Sequence, residues 1–139
     1  MKNHYEIIEH TADVGVKAFG ASLSDCFAHA AEGMFNLITD SSSIAEKGEY
    51  QLKLQADDLE QLLVDFLSEL LFLHSSRNLV FGSFTVSIDE EDAELSASIK
   101  GESFDLKKHH CGIEIKAVTY HMLQVHADSP LFVQVLFDI

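Results

Sequence analysis

Carboxylates at the two ends of the chain are the residues best suited to chemistry. Asp13 lies where an apolar segment gives way to a predicted strand, and Asp138 is followed only by Ile139. Asp138 and the terminal carboxylate of Ile139 place two hard oxygen donors within one residue, and Asp13 could supply a third. Such donors suit calcium, magnesium or manganese rather than zinc. From the residues alone, a turn role for Asp13 and a frayed C-terminus remain the alternatives.

A second candidate is the stretch from Ser103 to His121, because four of the nine basic residues lie between Lys100 and Lys116. Imidazole and thiolate are the usual ligands of zinc, yet the spacing here matches no common zinc pattern. A cationic patch that meets phosphate or an acidic groove, and an ordinary solvated loop, stay open as alternatives. The candidate zinc ligands are His109, His110, Cys111 and His121.

The sequence supports no self-contained enzyme. Histidines flank Cys111, but neighbours in sequence seldom reach the geometry in which a base activates a thiol. No serine lies in a strand-turn-helix elbow, and the seven glycines are scattered singly rather than gathered in a phosphate loop.

The elements that must position these residues predict one α+β domain over residues 1–139. Apolar residues recurring at helical spacing predict two helices, at about 22–39 and 58–77. The remaining segments alternate with period two and include predicted hairpins over 79–101 and 117–137. We expect a mixed or mainly antiparallel sheet packed against both helices. The Leu-rich second helix is predicted to be core, with a partner surface as the alternative.

Net charge limits the partners. With 23 acidic and 9 basic residues, the formal charge of -14 disfavours direct binding to a phosphate backbone over a broad face. Docking on a basic protein that handles nucleic acid is compatible with this charge, and so is a role in solubility alone. The sequence shows no secretory signal or membrane span, so we expect a cytoplasmic protein with free thiols at its two cysteines.

Three sequence motifs follow one another along the chain. The first runs from Glu9 to Gly15 and reads Glu-His-Thr-Ala-Asp-Val-Gly. The second begins with Gly-Glu-Ser-Phe-Asp at 101–105 and leads to Glu-Ile-Lys-Ala-Val-Thr-Tyr-His at 114–121. The third is the closing Phe-Asp-Ile at 137–139. In this order the three motifs resemble the archease family, and the resemblance extends over essentially the whole chain.

This resemblance implies an activator rather than an enzyme. The expected partner is the GTP-dependent RNA ligase of tRNA splicing, which joins a 3′-phosphate or cyclic phosphate end to a 5′-hydroxyl. The activator would promote guanylylation of the ligase's catalytic histidine and multiple turnover, and would meet RNA only through the ligase. The metal site of the family, generally calcium with magnesium or manganese possible, carries over to Asp13, Asp138 and Ile139.

Four further residues are candidates for contact with the ligase or its nucleotide: Lys116, Asp105, His109 and His10. Asp105 and His109 could instead shape their own loop. Two other functions stay open, a general chaperone or modulator of RNA-modifying enzymes and an independent two-carboxylate hydrolase. If the resemblance is right, the strands that carry Asp13 and Asp138 should be close enough for their oxygens to share one ion.

Overall fold

The computed structural model describes residues 4–10 and 13–139, without the side chain of His10. The described residues form eight strands and two helices in one α+β domain, as predicted. The strands are β1 (Tyr5–His10), β2 (Asp13–Phe19), β3 (Gly48–Gln55), β4 (Leu79–Asp89), β5 (Glu94–Ser103), β6 (Ala117–Val118), β7 (Gln124–His126) and β8 (Phe132–Asp138), and the helices are α1 (Leu23–Ile38) and α2 (Leu59–Arg77).

Both helices begin and end where capping chemistry predicts. The side chain of Ser22 accepts a hydrogen bond from Asp25 N–H at the start of α1, and Asp58 caps α2 in the same way. Asn78 closes α2 in the left-handed conformation, with φ 57°. The leucines of α2 are mostly buried, which confirms the core prediction for this helix. Among the described residues, no helix is long and apolar enough to cross a bilayer.

The strands form two sheets where the sequence suggested one. The larger sheet has the order β1-β2-β8-β6, with β7 also paired to β8, and the smaller has the order β3-β5-β4. Every pairing is antiparallel. The predicted hairpin over 79–101 is present as β4 and β5. The predicted hairpin over 117–137 is interrupted, because β6 and β7 are short and pair separately with β8.

The pairing of β2 with β8 determines which residues meet at the end of the larger sheet. Val16 and Ala18 of β2 are fully buried, and β8 is buried from Val133 to Phe137. Because side chains alternate in a strand, burying these residues fixes the register. That register runs from Asp13 opposite Asp138 to Phe19 opposite Phe132.

Gly15 allows the close approach of these two strands. A Cβ at this position would overlap the Leu136 side chain and the Val135 carbonyl oxygen. Leu136 is fully buried, so its side chain cannot move aside without opening the core. Gly15 lies two residues from Asp13, and its lack of a side chain therefore supports the pairing that places the carboxylate.

We expect Gly15→Ala to lower the free energy of unfolding by about 1–3 kcal/mol, the usual effect of an extra methyl group in a packed core. Chemical denaturation measures this change. The control is Gly48→Ala in β3, where a Cβ would meet Tyr50 at an ordinary contact distance of 3.4 Å. An equal effect of the two substitutions would contradict the role given to Gly15.

Candidate functional site

The β2–β8 register places Asp13 directly opposite Asp138. Residues facing each other in this way have Cβ atoms about 4.5–5.5 Å apart, within reach of one shared cation. Asp138 is exposed, Asp13 is half-buried, and Ile139 is 39% exposed. The carboxylate cluster, defined as Asp13, Asp138 and Ile139, therefore lies at a solvent-accessible end of the larger sheet.

The donor set of this cluster fits a hard divalent cation. It offers two side-chain carboxylates and, at Ile139, the terminal carboxylate, and such oxygen ligands suit calcium, magnesium and manganese. Because the register sets two acidic residues face to face, one cation between them could be bound by both Asp13 and Asp138. Calcium takes six to eight oxygens, which leaves positions for water or for groups from a partner.

Lys116 reaches the same end of the sheet through its backbone. Its N–H donates a hydrogen bond to the carbonyl of Asp138 at 2.7 Å, and Ala117 then pairs with Asp138 in β6. The Lys116 residue itself is exposed. On the other side, the backbone of His10 pairs with Asp13, while its side chain lies outside the described residues. Asp13 and Asp138 thus lie in one row across four strands, with His10 and Ala117 at its ends.

The segment at residues 104–116, here called the anchored loop, connects β5 to Lys116 and is tied to the end of α1. The N–H groups of Gly112 and Ile113 donate to the carbonyls of Ile38 and Leu37, at 2.9 and 2.8 Å. These carbonyls belong to the last turn of the helix, whose backbone acceptors have no partner within the helix. A Cβ at Gly112 would overlap this backbone, so the close approach requires glycine.

His109 is the interior anchor of this loop, with only 2% of its surface exposed. The N–H of Asp105 lies 2.8 Å from its Nδ1, and since a backbone N–H can only donate, Nδ1 must accept. The proton of the neutral ring is therefore on Nε2, which donates to Glu102 Oε2 at 2.8 Å. Both ring nitrogens are thus engaged, and His109 shapes the loop rather than presenting an imidazole to a nucleotide.

Glu102 is a buried carboxylate surrounded by donors. Its Oε2 accepts from Ala45 N–H at 2.8 Å and lies 2.7 Å from Lys108 Nζ, while Lys47 Nζ is 3.6 Å from Oε1. The Ala45 N–H, the Lys108 ammonium and His109 together hold the pKa of Glu102 down, at about 2, against the opposing effect of burial. These contacts of Glu102 hold the anchored loop in place. The alternation of side chains in β5 did not predict this role for Glu102.

The structure also gives the positions of Asp105 and of the residues considered as zinc ligands. Asp105 is exposed and accepts hydrogen bonds from within its own loop, through its carbonyl and through Oδ1, which binds Lys107 N–H at 3.0 Å. The zinc pattern considered for the 109–121 stretch does not form, because His109 is buried and fully bonded. In the described part of the chain, only one trio of histidine, cysteine or carboxylate side chains has its donor atoms within 4.8 Å, and it lies elsewhere.

Cys26 does not form an activated nucleophile. Cys26 is buried in the core, and burial together with the nearby Asp25 raises the pKa of its thiol to about 11. Cys111 is exposed in the anchored loop, and both cysteines are free thiols. Thiol chemistry at neutral pH requires a lowered pKa, which Cys26 lacks.

We expect Glu102→Gln to reduce stability in a pH-dependent way. Since the folded-state pKa of Glu102 lies below its ordinary value of 4.5, the charged group stabilises the fold above that value, and this contribution is lost as the pH falls toward about 2. The difference in denaturation midpoint between wild type and variant should therefore be full above pH 5 and shrink in acid. Glu90→Gln, at an exposed turn, is the control; a constant difference for Glu102→Gln would contradict this assignment.

Comparison with known proteins gives the family. The model of the Archease protein family (MTH1598/TM1083) matches residues 5–139. The archease of Pyrococcus furiosus is 40% identical over 123 residues, which cover 87% of each chain. The archease of Methanosarcina barkeri is 44% identical over 124 residues, covering 87% of this chain and 85% of that relative.

Solved structures agree with this result. The solution structure of Methanobacterium thermoautotrophicum protein 1598 has a TM-score of 0.85 and 34% identity, covering 99% of this chain and 100% of that one. A Thermotoga maritima crystal structure, described as an archease and possible chaperone, has a TM-score of 0.59 and 26% identity, covering 95% and 94%. The family match spans nearly the whole chain, and the chain therefore belongs to the archease family.

Proposed function

We propose that this protein activates a GTP-dependent RNA ligase of tRNA splicing, using a divalent cation, calcium by preference, held by the carboxylate cluster. The observation that carries the proposal is the register that sets Asp13 opposite Asp138, beside Ile139. The register and the solvent exposure of this end of the larger sheet support a site for a hard cation, with oxygen donors from Asp13, Asp138 and Ile139, rather than a site for acid-base catalysis. The protein is then an activator and not itself an enzyme.

Charge supports a protein partner. A ligase that accepts RNA presents a basic surface, and a chain of formal charge -14 is complementary to such a surface. The same charge repels RNA, so the activator would meet RNA only through the ligase. Complementary potentials also speed the encounter and make it sensitive to salt, which suits a partner that must bind, act and leave in the cytoplasm.

The residues have separate roles in this proposal. Asp13, Asp138 and Ile139 hold the cation, which when bound supplies positive charge for the phosphates of GTP or for acidic groups of the ligase. Lys116 adds a cation whose position is set by the hydrogen bond between its N–H and Asp138. Asp105 and His109 contribute by holding the anchored loop that leads to Lys116. His10, whose backbone pairs with Asp13, remains a candidate for contact with the partner.

We expect Asp13→Asn and Asp138→Asn each to reduce stimulation of ligase guanylylation by at least about tenfold, because an amide keeps the side-chain shape but weakens cation binding. The measurement uses purified partner ligase, labelled GTP and calcium, with the initial rate of covalent nucleotide transfer as readout. Asp57→Asn, an exposed aspartate before α2, is the matched control. Unchanged stimulation by both site variants would remove the carboxylate cluster from the mechanism.

Adding two glycines after Ile139 tests the terminal carboxylate. We expect weaker calcium binding by calorimetry and weaker ligase stimulation, with an unchanged melting temperature, because the extension moves the terminal charge away from Asp138. The same two residues added at the N-terminus serve as the control. Wild-type calcium affinity in the C-terminal extension would exclude the Ile139 carboxylate as a ligand.

A chaperone or modulator of RNA-modifying enzymes is the second candidate, favoured by the description of the Thermotoga maritima relative as a possible chaperone. The expected surface for that role was the Leu-rich helix. Most leucines of α2 are buried in the core, and Phe72, at 57% exposure, is its most prominent exposed apolar residue. This candidate requires partner binding that survives both aspartate substitutions, so the same variants separate the two functions.

A further inference from the structure

A second group of potential metal ligands lies at the opposite end of the β1–β2 hairpin. His4 precedes β1, and its carbonyl accepts a hydrogen bond from Phe19 N–H at 2.9 Å. His29 and Glu32 lie one turn apart on α1, which faces this end. One donor atom from each of these three side chains lies within 4.8 Å of the other two.

His29 is already oriented as a metal ligand would be. Its Nδ1 lies 2.5 Å from the carbonyl oxygen of Phe19, and a carbonyl can only accept, so Nδ1 carries the proton. In the neutral ring this tautomer leaves the lone pair on Nε2, which lies 3.9 Å from Glu32 Oε2. Metal-binding histidines almost always donate the proton of their other nitrogen to a carbonyl or carboxylate in this way, which fixes both the tautomer and the ring direction.

His4 must move for the site to close. Its ring stacks on His29 with centroids 4.2 Å apart and planes inclined by 19°. The lone pair of an imidazole lies in the ring plane, so two stacked rings cannot both point at one ion. His4 is exposed at the start of β1, and rotation about its side-chain bonds frees the ring from the stack. The His29 ring is therefore already oriented to bind an ion, whereas the His4 side chain must rotate before it can bind the same ion.

We propose that His4, His29 and Glu32 form a binding site for a borderline transition-metal ion of the zinc type. Two imidazoles and one carboxylate are a ligand set that zinc accepts and calcium does not favour. Three protein ligands leave a fourth position for water or an outside donor. A groove of about 960 Å³ is lined by His4 and His29 together with Glu6 and Asp25, so both histidines are accessible from solvent.

The site differs in place and chemistry from the carboxylate cluster. Asp13 and Phe19 are the two ends of β2, so about 20 Å of strand separates the two groups. The cluster at Asp13 offers only oxygen, whereas this site offers two nitrogens. Hard ions such as calcium should therefore bind at the carboxylate cluster, and borderline ions such as zinc at the end of the hairpin near His4 and His29.

The test is zinc titration of the full chain against a chromophoric chelator, with cobalt absorption as a second readout of nitrogen ligation. We expect one zinc ion per chain, and at least about tenfold weaker binding in His4→Ala, His29→Gln and Glu32→Gln, since even loss of a supporting hydrogen bond costs tenfold or more. Circular dichroism verifies folding of each variant. His4→Ala, at an exposed position, remains informative if His29→Gln is unstable.

Two controls make the result decisive. His110→Ala removes an exposed histidine next to Cys111 and should leave zinc affinity unchanged, as should Asp57→Asn at an exposed position before α2. Wild-type affinity in His4→Ala and Glu32→Gln, or the absence of zinc binding in the wild type, would overturn the proposal. Loss of zinc binding in His110→Ala alone would also overturn it and assign the metal to the anchored loop.

Discussion

The antiparallel pairing of β2 with β8 is the constraint on which the candidate site depends. Val16 and Ala18 of β2 share the hydrophobic core with alternate residues of β8, from Val133 to Phe137, and a slip of one residue would bring the opposite face of β8, including Gln134, to that core. The observed register brings the beginning and the end of the chain together at Asp13 and Asp138. Hydrophobic burial thus brings the two acidic side chains of the candidate site face to face.

The anchored loop shows how a segment with little regular structure is held in place. Its order comes from the α1 carbonyls that accept from Gly112 and Ile113, and from the buried pair of Glu102 and His109. A buried carboxylate is tolerated only when donors surround it, and Glu102 has Ala45 N–H, lysine and imidazole within reach. Polar interactions inside the fold therefore determine where Lys116 emerges beside Asp138.

The β1–β2 hairpin carries different donor chemistry at its two ends. The carboxylate cluster offers oxygen at one end, while His4, His29 and Glu32 offer nitrogen and oxygen at the other. The first set belongs to the proposed activation of a ligase, and the second is independent of that function. In these two proposals, the sites would differ in the ions they prefer because their ligand types differ, not because of the overall charge of the chain.

The sequence by itself determined the two helices, the hairpin of β4 and β5 and the α+β class, because periodicity and capping are local properties. It also singled out Asp13 and Asp138, although motif resemblance was needed to connect residues so far apart. Only the tertiary structure decided that the strands divide into two sheets and that His109 points inward to Glu102. The same is true of the meeting of His4 with α1. The division into two sheets and the position of His4 against α1 arise from contacts between segments distant in sequence, which no local pattern encodes. Glu102 and His109 are only seven residues apart, but their burial depends on contacts with other parts of the fold, such as the Ala45 N–H.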